Sequence, residues 1–230
     1  MQNIEQKIKV AVDAVVFGYS KKDGVSILLI QRKYEPYKGS WAIPGGFILD
    51  DESLEEAVKR ELLEETGIEL KYLEQLYSFG KPGRDPRQRI ISIAYLGLVK
   101  TTQYTELKAS TDAENAQWFS IDKLPRLAFD HKDILHTAIE RIRAKVRYQP
   151  IGFELLDKEF PFSDLEKLYM ALLGRDINRR NFSKKILSFG FIEETGEITK
   201  PTGKGRPSKI YRFNQKRYKE LLREGIHFEI

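Results

Sequence analysis

The chain has 230 residues, 41% hydrophobic and 32% charged, which is enough to bury a core and to form two modest domains or one large one. It has no cysteine, excluding a disulfide framework and any thiolate metal site, and His131, His136 and His227 do not sit at ligand spacing, so a metal here must be held by oxygen. No signal-like apolar core follows the start and no apolar run nears the roughly 18 residues of a membrane span, so the expected location is the cytoplasm, and a net charge of +5 admits an anionic partner without naming one.

In chain order, "VAVDAVVFGY" and "VSILLIQRK" are β-branched runs separated by a polar turn ending in Gly24, and they predict a hairpin. The next stretch, Gly45 to Ile68, gathers eight acidic side chains and two basic ones. Within it the period changes. Ser53 with Glu56 three residues on predicts a capped helix start, Leu54, Ala57, Val58 and Leu62 follow a 3.6-residue spacing, and Gly67 supplies a stop. Glu61, Glu64 and Glu65 then share one helix face at i, i+3 and i+4. Such a face is either solvated or a site for Mg²⁺ or Mn²⁺, which take oxygen ligands and keep waters and phosphates in their other positions. Spacing alone leaves both open.

Beyond the helix, "YLEQLYSFG", "RIISIAYLGLVK" and "AQWFSI" predict further strands. Between the first two, a Gly/Pro loop carries Lys81, Arg84, Arg87 and Arg89, suited to clasping phosphates if it is not simply solvated. "HKDILHTAIERIRAKV" places Ile134, Leu135, Ala138, Ile142 and Val146 on one helical face and closes a first domain, expected to span residues 1–148. Two prolines and a glycine punctuate the text that follows.

The remainder, 149–230, is expected to be a second domain with a different charge. From Arg175 to Lys219 there are thirteen Lys or Arg against four Asp or Glu. Ser163 and Glu166 predict a capping box, then Leu165, Leu168, Tyr169 and Leu172 face one way until Gly174. After a short turn, Phe182, Ile186 and Phe189 form an apolar face that turns Arg179, Arg180, Ser183 and Lys184 outward. Two helices and a tight turn make a helix-turn-helix, and "FIEETGEI" and "SKIYRFN" read as strands around a loop whose Lys200, Lys204, Arg206 and Lys209 could lie along a phosphate backbone. This is the pattern of a winged helix. Arg179, Arg180, Asn181 and Lys184 would read the major groove, while Lys204, Arg206 and their neighbours would contact phosphates.

Gly46, Glu52, Arg60, Glu61, Leu62, Glu64, Glu65, Gly67 and Ile68 fall at the spacing of the Nudix box, and the stretch resembles it at every defined position. The resemblance implies an α/β Nudix fold, a mixed β-sheet flanked by helices, that binds Mg²⁺ or Mn²⁺ and hydrolyses nucleoside diphosphates linked to a second moiety. It implies a metal on Glu61, Glu64 and Glu65, bracing by Glu52 and Arg60, and an entry loop shaped by Gly45 and Gly46. A general base is not fixed by spacing, with Glu106 and Glu114 both available. "YLEQLYSFGKPGRDPR", "LPRLAFDH", "PIGFELLDKEFPFSDLEKLY" and "RRNFSKKI" together resemble the Nudix-related transcriptional regulator (NrtR) family. That likeness implies a homodimer on operator DNA, released by ADP-ribose or a related nucleotide-sugar or sugar ligand held near Arg84, Arg87, Arg89, Gly45 and Gly46. Three expectations follow from it: a regulator that senses a ligand, a working pyrophosphohydrolase with an accessory tail, or both.

Overall fold

The computed structural model describes residues 7–70, 72–104, 107, 113–199, 207–226 and 228–230. The chain divides into two compact units, one holding the residues up to Gly18 with Val25–Ile139, the other Tyr19–Gly24 with Glu140–Ile230.

In the first unit, β1 (Lys9–Ser20) and β2 (Gly24–Arg32) are neighbours, as their β-branched runs predict. The seven-stranded sheet follows the order β3 (Trp41–Ala42), β2, β1, β6 (Ile90–Lys100), β5 (Leu73–Phe79), with β4 (Gly45–Phe47) on β1 and β7 (Ala113–Ser120) on β2. β1 is buried from Val12 to Ser20, which accounts for a run with no polar alternation: both of its faces are covered. Helix α1 (Leu54–Thr66) lays Ala57, Val58 and Leu62 against Val12, Ala14 and Val16. Each large side chain fully buried in such a core holds the fold by about 2–5 kcal/mol against truncation to Ala. Ser53 caps α1, accepting from the Glu56 N–H while Glu56 accepts from the Ser53 N–H, and Gly67 ends it in the left-handed region at φ 73°. The local motif and the tertiary packing agree here. Helix α2 (His131–Tyr148) buries Ile134, Leu135, Ala138, Ile142 and Val146 as its spacing predicts.

In the second unit, α3 (Phe162–Leu173) and α4 (Arg179–Ser188) are followed by β9 (Ile192–Ile198), β10 (Lys209–Phe213) and α5 (Gln215–Arg223). The short β8 (Glu159–Pro161) joins them in a three-stranded sheet of order β8, β10, β9. The core is aromatic: Phe153 stacks on Phe213 at 4.2 Å, and Phe191 meets Phe153, Phe189, Phe213 and Phe228. Rings this large supply the burial a small domain otherwise lacks. One expectation fails. Ser163 does not cap α3, because the helix starts at Phe162, directly from the extended Pro161, two residues earlier than a Ser163 cap requires, leaving Ser163 inside the first turn. Gly174 does end it, at φ 66°.

Candidate functional site

The acidic helix meets the sheet at the glycines. β4 pairs with β1 so that Gly45 lies opposite Asp13 and Gly46 opposite Val12. The Gly45 N–H donates to the Glu65 carboxylate at 2.8 Å, and Glu65 is buried. A Cβ on Gly46 would stand 2.3 Å from a Glu61 carboxylate oxygen, so glycine lets this strand pass close to the helix without displacing that carboxylate. Arg60 organises the rest. Its Nε and Nη2 fork onto Glu52 at 2.9 and 2.6 Å, Nη2 also donates to the Phe47 carbonyl, and Nη1 reaches Glu61 at 2.8 Å and Glu64 at 3.4 Å. Glu52 first, then Glu61, hold its guanidinium well above the usual arginine range.

Even so, burial pushes the Glu61 carboxyl above its ordinary value; Arg60 opposes that shift, and Glu64 and Glu52 add to it. A carboxylate short of positive charge beside a second, more exposed one is a donor set that fits a hard divalent cation. Among the described residues no group of three His, Asp or Glu side chains is placed to hold a metal ion. Of the three expected ligands, Glu61 and Glu64 are engaged by Arg60 and Glu65 by the Gly45 N–H; an ion there would activate water and neutralise phosphate oxygens. Glu114 is exposed on β7, and Glu106 lies outside the described residues.

Beside the glycines opens a cleft walled in part by Asp13, Arg32, Gly45, Gly46, Arg84 and Arg87. The expected cations differ in availability. Arg84 is buried and forks onto Asp130 at 2.7 and 2.9 Å, with Asp13 at 3.7 Å, so it braces the wall. Arg87 forks onto Asp85 at 2.7 and 3.0 Å, and its guanidinium carbon lies 5.8 Å from the Phe47 ring and 5.9 Å from the Phe129 ring. Arg89 donates to the Gly80 carbonyl and is not among the lining residues. Arg32, Asp13, Phe129 and His131 also line the cleft, and sequence reasoning misses them because each lies in or beside a strand or a helix start that reads as framework. Phe129 holds φ 51° and Tyr37 φ 65°, and their rings meet edge to face at 4.9 Å.

His131 is locked as a neutral ring. Its Nδ1 accepts the Ile43 N–H at 2.9 Å, which puts the proton on Nε2, 3.7 Å from Asp13. Burial lowers its pKa, assisted by Arg84 and Arg32 and opposed by Asp13 and Asp130. The folded value therefore lies below the unfolded 6.5, so His131 contributes stability that is intact above pH 6.5 and is lost as pH falls through that value toward the folded pKa. The expected slope is at most about 1.4 kcal/mol per pH unit, one proton. Urea unfolding across this window should show it in the wild type and not in His131→Gln; equal slopes would assign the pH dependence elsewhere.

On the second unit, Asn178 caps α4 by accepting the Asn181 N–H at 3.0 Å. Phe182 and Ile186 are buried, and Arg179, Arg180, Asn181 and Lys184 are exposed. Arg179 comes within 4.0 Å of Glu166. On the hairpin, Lys209 pairs with Glu194 at 2.8 Å and Arg212 with Glu193 at 3.3 Å, so these cations are already matched. Lys200, Lys204 and Arg206 lie outside the described residues.

Residues 7–138 match the NUDIX domain family, and residues 152–213 match the NrtR DNA-binding winged helix domain. The chain is 35% identical over 206 residues to the "ADPR responsive transcriptional repressor NtrR" of Acinetobacter baylyi, covering 88% of this chain and 80% of that protein. Over 126 residues it is 45% identical to the ADP-ribose pyrophosphatase of Methanocaldococcus jannaschii, 55% of this chain and 70% of that one. Shewanella oneidensis NrtR, solved with a 27mer DNA, superposes with a TM-score of 0.75 at 30% identity, over 91% of this chain and 95% of that one. Its NUDIX domain, solved with ADP ribose, superposes with a TM-score of 0.54 at 34% identity, over 60% and 90%. Among the described residues no helix is long and apolar enough to cross a membrane.

Proposed function

The chain belongs to the Nudix-related transcriptional regulator (NrtR) family, and on that premise we propose that it is a DNA-binding repressor whose Nudix domain senses ADP-ribose or a close nucleotide-sugar relative. One observation carries the reading: a single chain holds both a glycine-and-carboxylate cleft with arginine walls and a capped helix with an exposed Arg179, Arg180, Asn181 and Lys184 face. The first suits a diphosphate, the second a major groove. The A. baylyi repressor and the S. oneidensis complexes with DNA and with ADP ribose support the same pairing.

The finer assignments are part of this proposal. The Nudix domain is taken as residues 1–148 and the DNA-binding domain as 149–230. Glu61, Glu64 and Glu65 take Mg²⁺ or Mn²⁺, braced by Glu52 and Arg60, while Gly45, Gly46, Arg84 and Arg87 shape the effector cleft. Arg89 supports the loop that carries them. Arg179, Arg180, Asn181 and Lys184 read bases, and Lys204 and Arg206 contact phosphates. The protein acts in the cytoplasm as a homodimer, each copy meeting one half-site about one DNA turn from the other. A second reading, hydrolysis of the ligand by the same cleft, is favoured by the intact carboxylate helix and by the likeness to the M. jannaschii pyrophosphatase.

The test is a titration of ADP-ribose against the purified chain bound to its own upstream DNA, with release of AMP followed in the same samples. The expected result is at least about tenfold weaker DNA binding, a coupling of about 1.4 kcal/mol. Unchanged DNA affinity would remove ADP-ribose as the effector, and AMP release dependent on divalent metal would establish the second reading alongside the first.

A further inference from the structure

We infer that the turn between α3 and α4 holds a second binding site, one for a small amphipathic anion such as an acyl carboxylate, and that its occupant competes with DNA. The floor of this pocket is apolar. Leu173 comes from the end of α3, Ile177 from the turn and Phe182 from α4, and Ile230 joins them. Leu173 and Phe182 are buried, whereas Ile177 and Ile230 stay partly open to water. Ile177 is the one apolar side chain among Arg175, Asp176 and Asn178, so the turn spends it on the pocket and keeps its other side chains polar.

The mouth is cationic. Arg175 and Lys185 line it and are exposed. Arg143 of α2 lays its guanidinium against Gly174, between the lining residues Leu173 and Arg175: a Cβ on Gly174 would stand 2.6 Å from its Nη2. Its Nε is shielded from water and has no hydrogen-bond partner among the described residues. Among those residues no carboxylate pairs with Arg143, Arg175 or Lys185, whereas Lys209, Arg212 and Arg217 of the same unit each meet a glutamate at 2.8 to 3.4 Å. Unmatched cations around an apolar recess define their ligand by complement: an apolar body for the floor and a carboxylate for the guanidinium and ammonium donors. A DNA backbone would meet the cations and leave the floor unfilled. Asn178 and Asn181 complete the lining, and the first caps α4 by accepting the N–H of the second. A carboxylate held here puts negative charge beside the face that DNA phosphates approach, so each partner weakens the other by the same factor. That competition rests on the DNA-binding reading above; the pocket itself does not.

The experiment follows the isoleucine methyl groups of the full chain by NMR while octanoate is added, with octanamide as the probe that lacks the charge and acetate as the probe that lacks the apolar body. Octanoate is expected to shift Ile177 and Ile230 saturably and to leave Ile198, 63% exposed and outside the pocket, in place. Octanamide should bind at least about fivefold more weakly, for want of a charge-assisted contact, and acetate at least about tenfold, for want of a buried methylene chain. The double variant Arg175→Gln, Lys185→Gln should bind octanoate and octanamide alike, and a thermal melt near that of the wild type shows that it is folded. With the pocket filled by octanoate, the wild type should bind its upstream DNA at least about threefold more weakly, and octanamide at the same concentration should do less. Shifts at Ile198 equal to those at Ile177, no preference for octanoate over octanamide, or unchanged DNA affinity with the pocket filled would overturn the inference. A wild type that takes octanoate with that preference and yet fails to bind its upstream DNA would overturn the DNA-binding reading instead.

Discussion

Gly45→Ala is expected to destabilise the first unit by about 3 kcal/mol, at the upper end of what overpacking a core costs. The new Cβ would stand 2.1 Å from the Val12 carbonyl oxygen and 3.0 Å from the Asp13 Cα. Both are backbone atoms of the paired strand and neither can rotate aside, so β4 must lift off β1 and draw the Gly45 N–H away from Glu65. Gly46→Ala provides the contrast. Its Cβ would meet the Glu61 carboxylate at 2.3 to 2.6 Å, the far end of a side chain that can swing. The fold should tolerate that change, at the cost of moving a carboxylate proposed to hold the metal. For a chain of this size the first variant should melt roughly 6–12 °C below the wild type. The second should melt near it while losing metal affinity. If Gly45→Ala melts with the wild type, the close approach of β4 to β1 is wrong.

The second large effect is expected at Arg60. Arg60→Met removes the whole hub at once, leaving Glu52 and Glu61 facing each other with no cation between them. Both carboxylates are largely shielded, their side chains 11% and 15% exposed, so water recovers only part of the loss. The urea midpoint of the variant should fall below that of the wild type. A double-mutant cycle with Glu52→Gln isolates the fork. Non-additive losses in urea unfolding are expected, whereas simple additivity of the two single changes would reduce Arg60 to a surface ion pair.

Whether a feature is legible in the sequence depends on how far apart its parts lie along the chain. The start and stop of α1 can be read because capping box, apolar face and αL glycine fall within fifteen residues and all agree. The cleft cannot, since Asp13, Arg32, Arg87 and His131 come from two strands, a loop and a helix start that only the folded sheet brings together. Arg84 illustrates the difference: the loop suggests a free cation, while Asp130, 46 positions later, accepts from both its Nε and its Nη2. In the second unit the local rule misleads at Ser163, where a strand ending in Pro161 sets the helix start. β8 escapes sequence reasoning because three residues carry no period, and α5 because nine residues with three apolar side chains, Tyr218, Leu221 and Leu222, are too few to show a repeat; its cap, Asn214 accepting from the Arg217 N–H, is the available signal.

Phe129 has one more implication. At φ 51° its backbone occupies ground where glycine or asparagine rests easily, and a bulky ring there costs about 1–2 kcal/mol of folding free energy. The chain bears this strain just ahead of α2 and keeps the ring under two guanidiniums. At this position the backbone gives up comfort to keep an aromatic wall on the cleft.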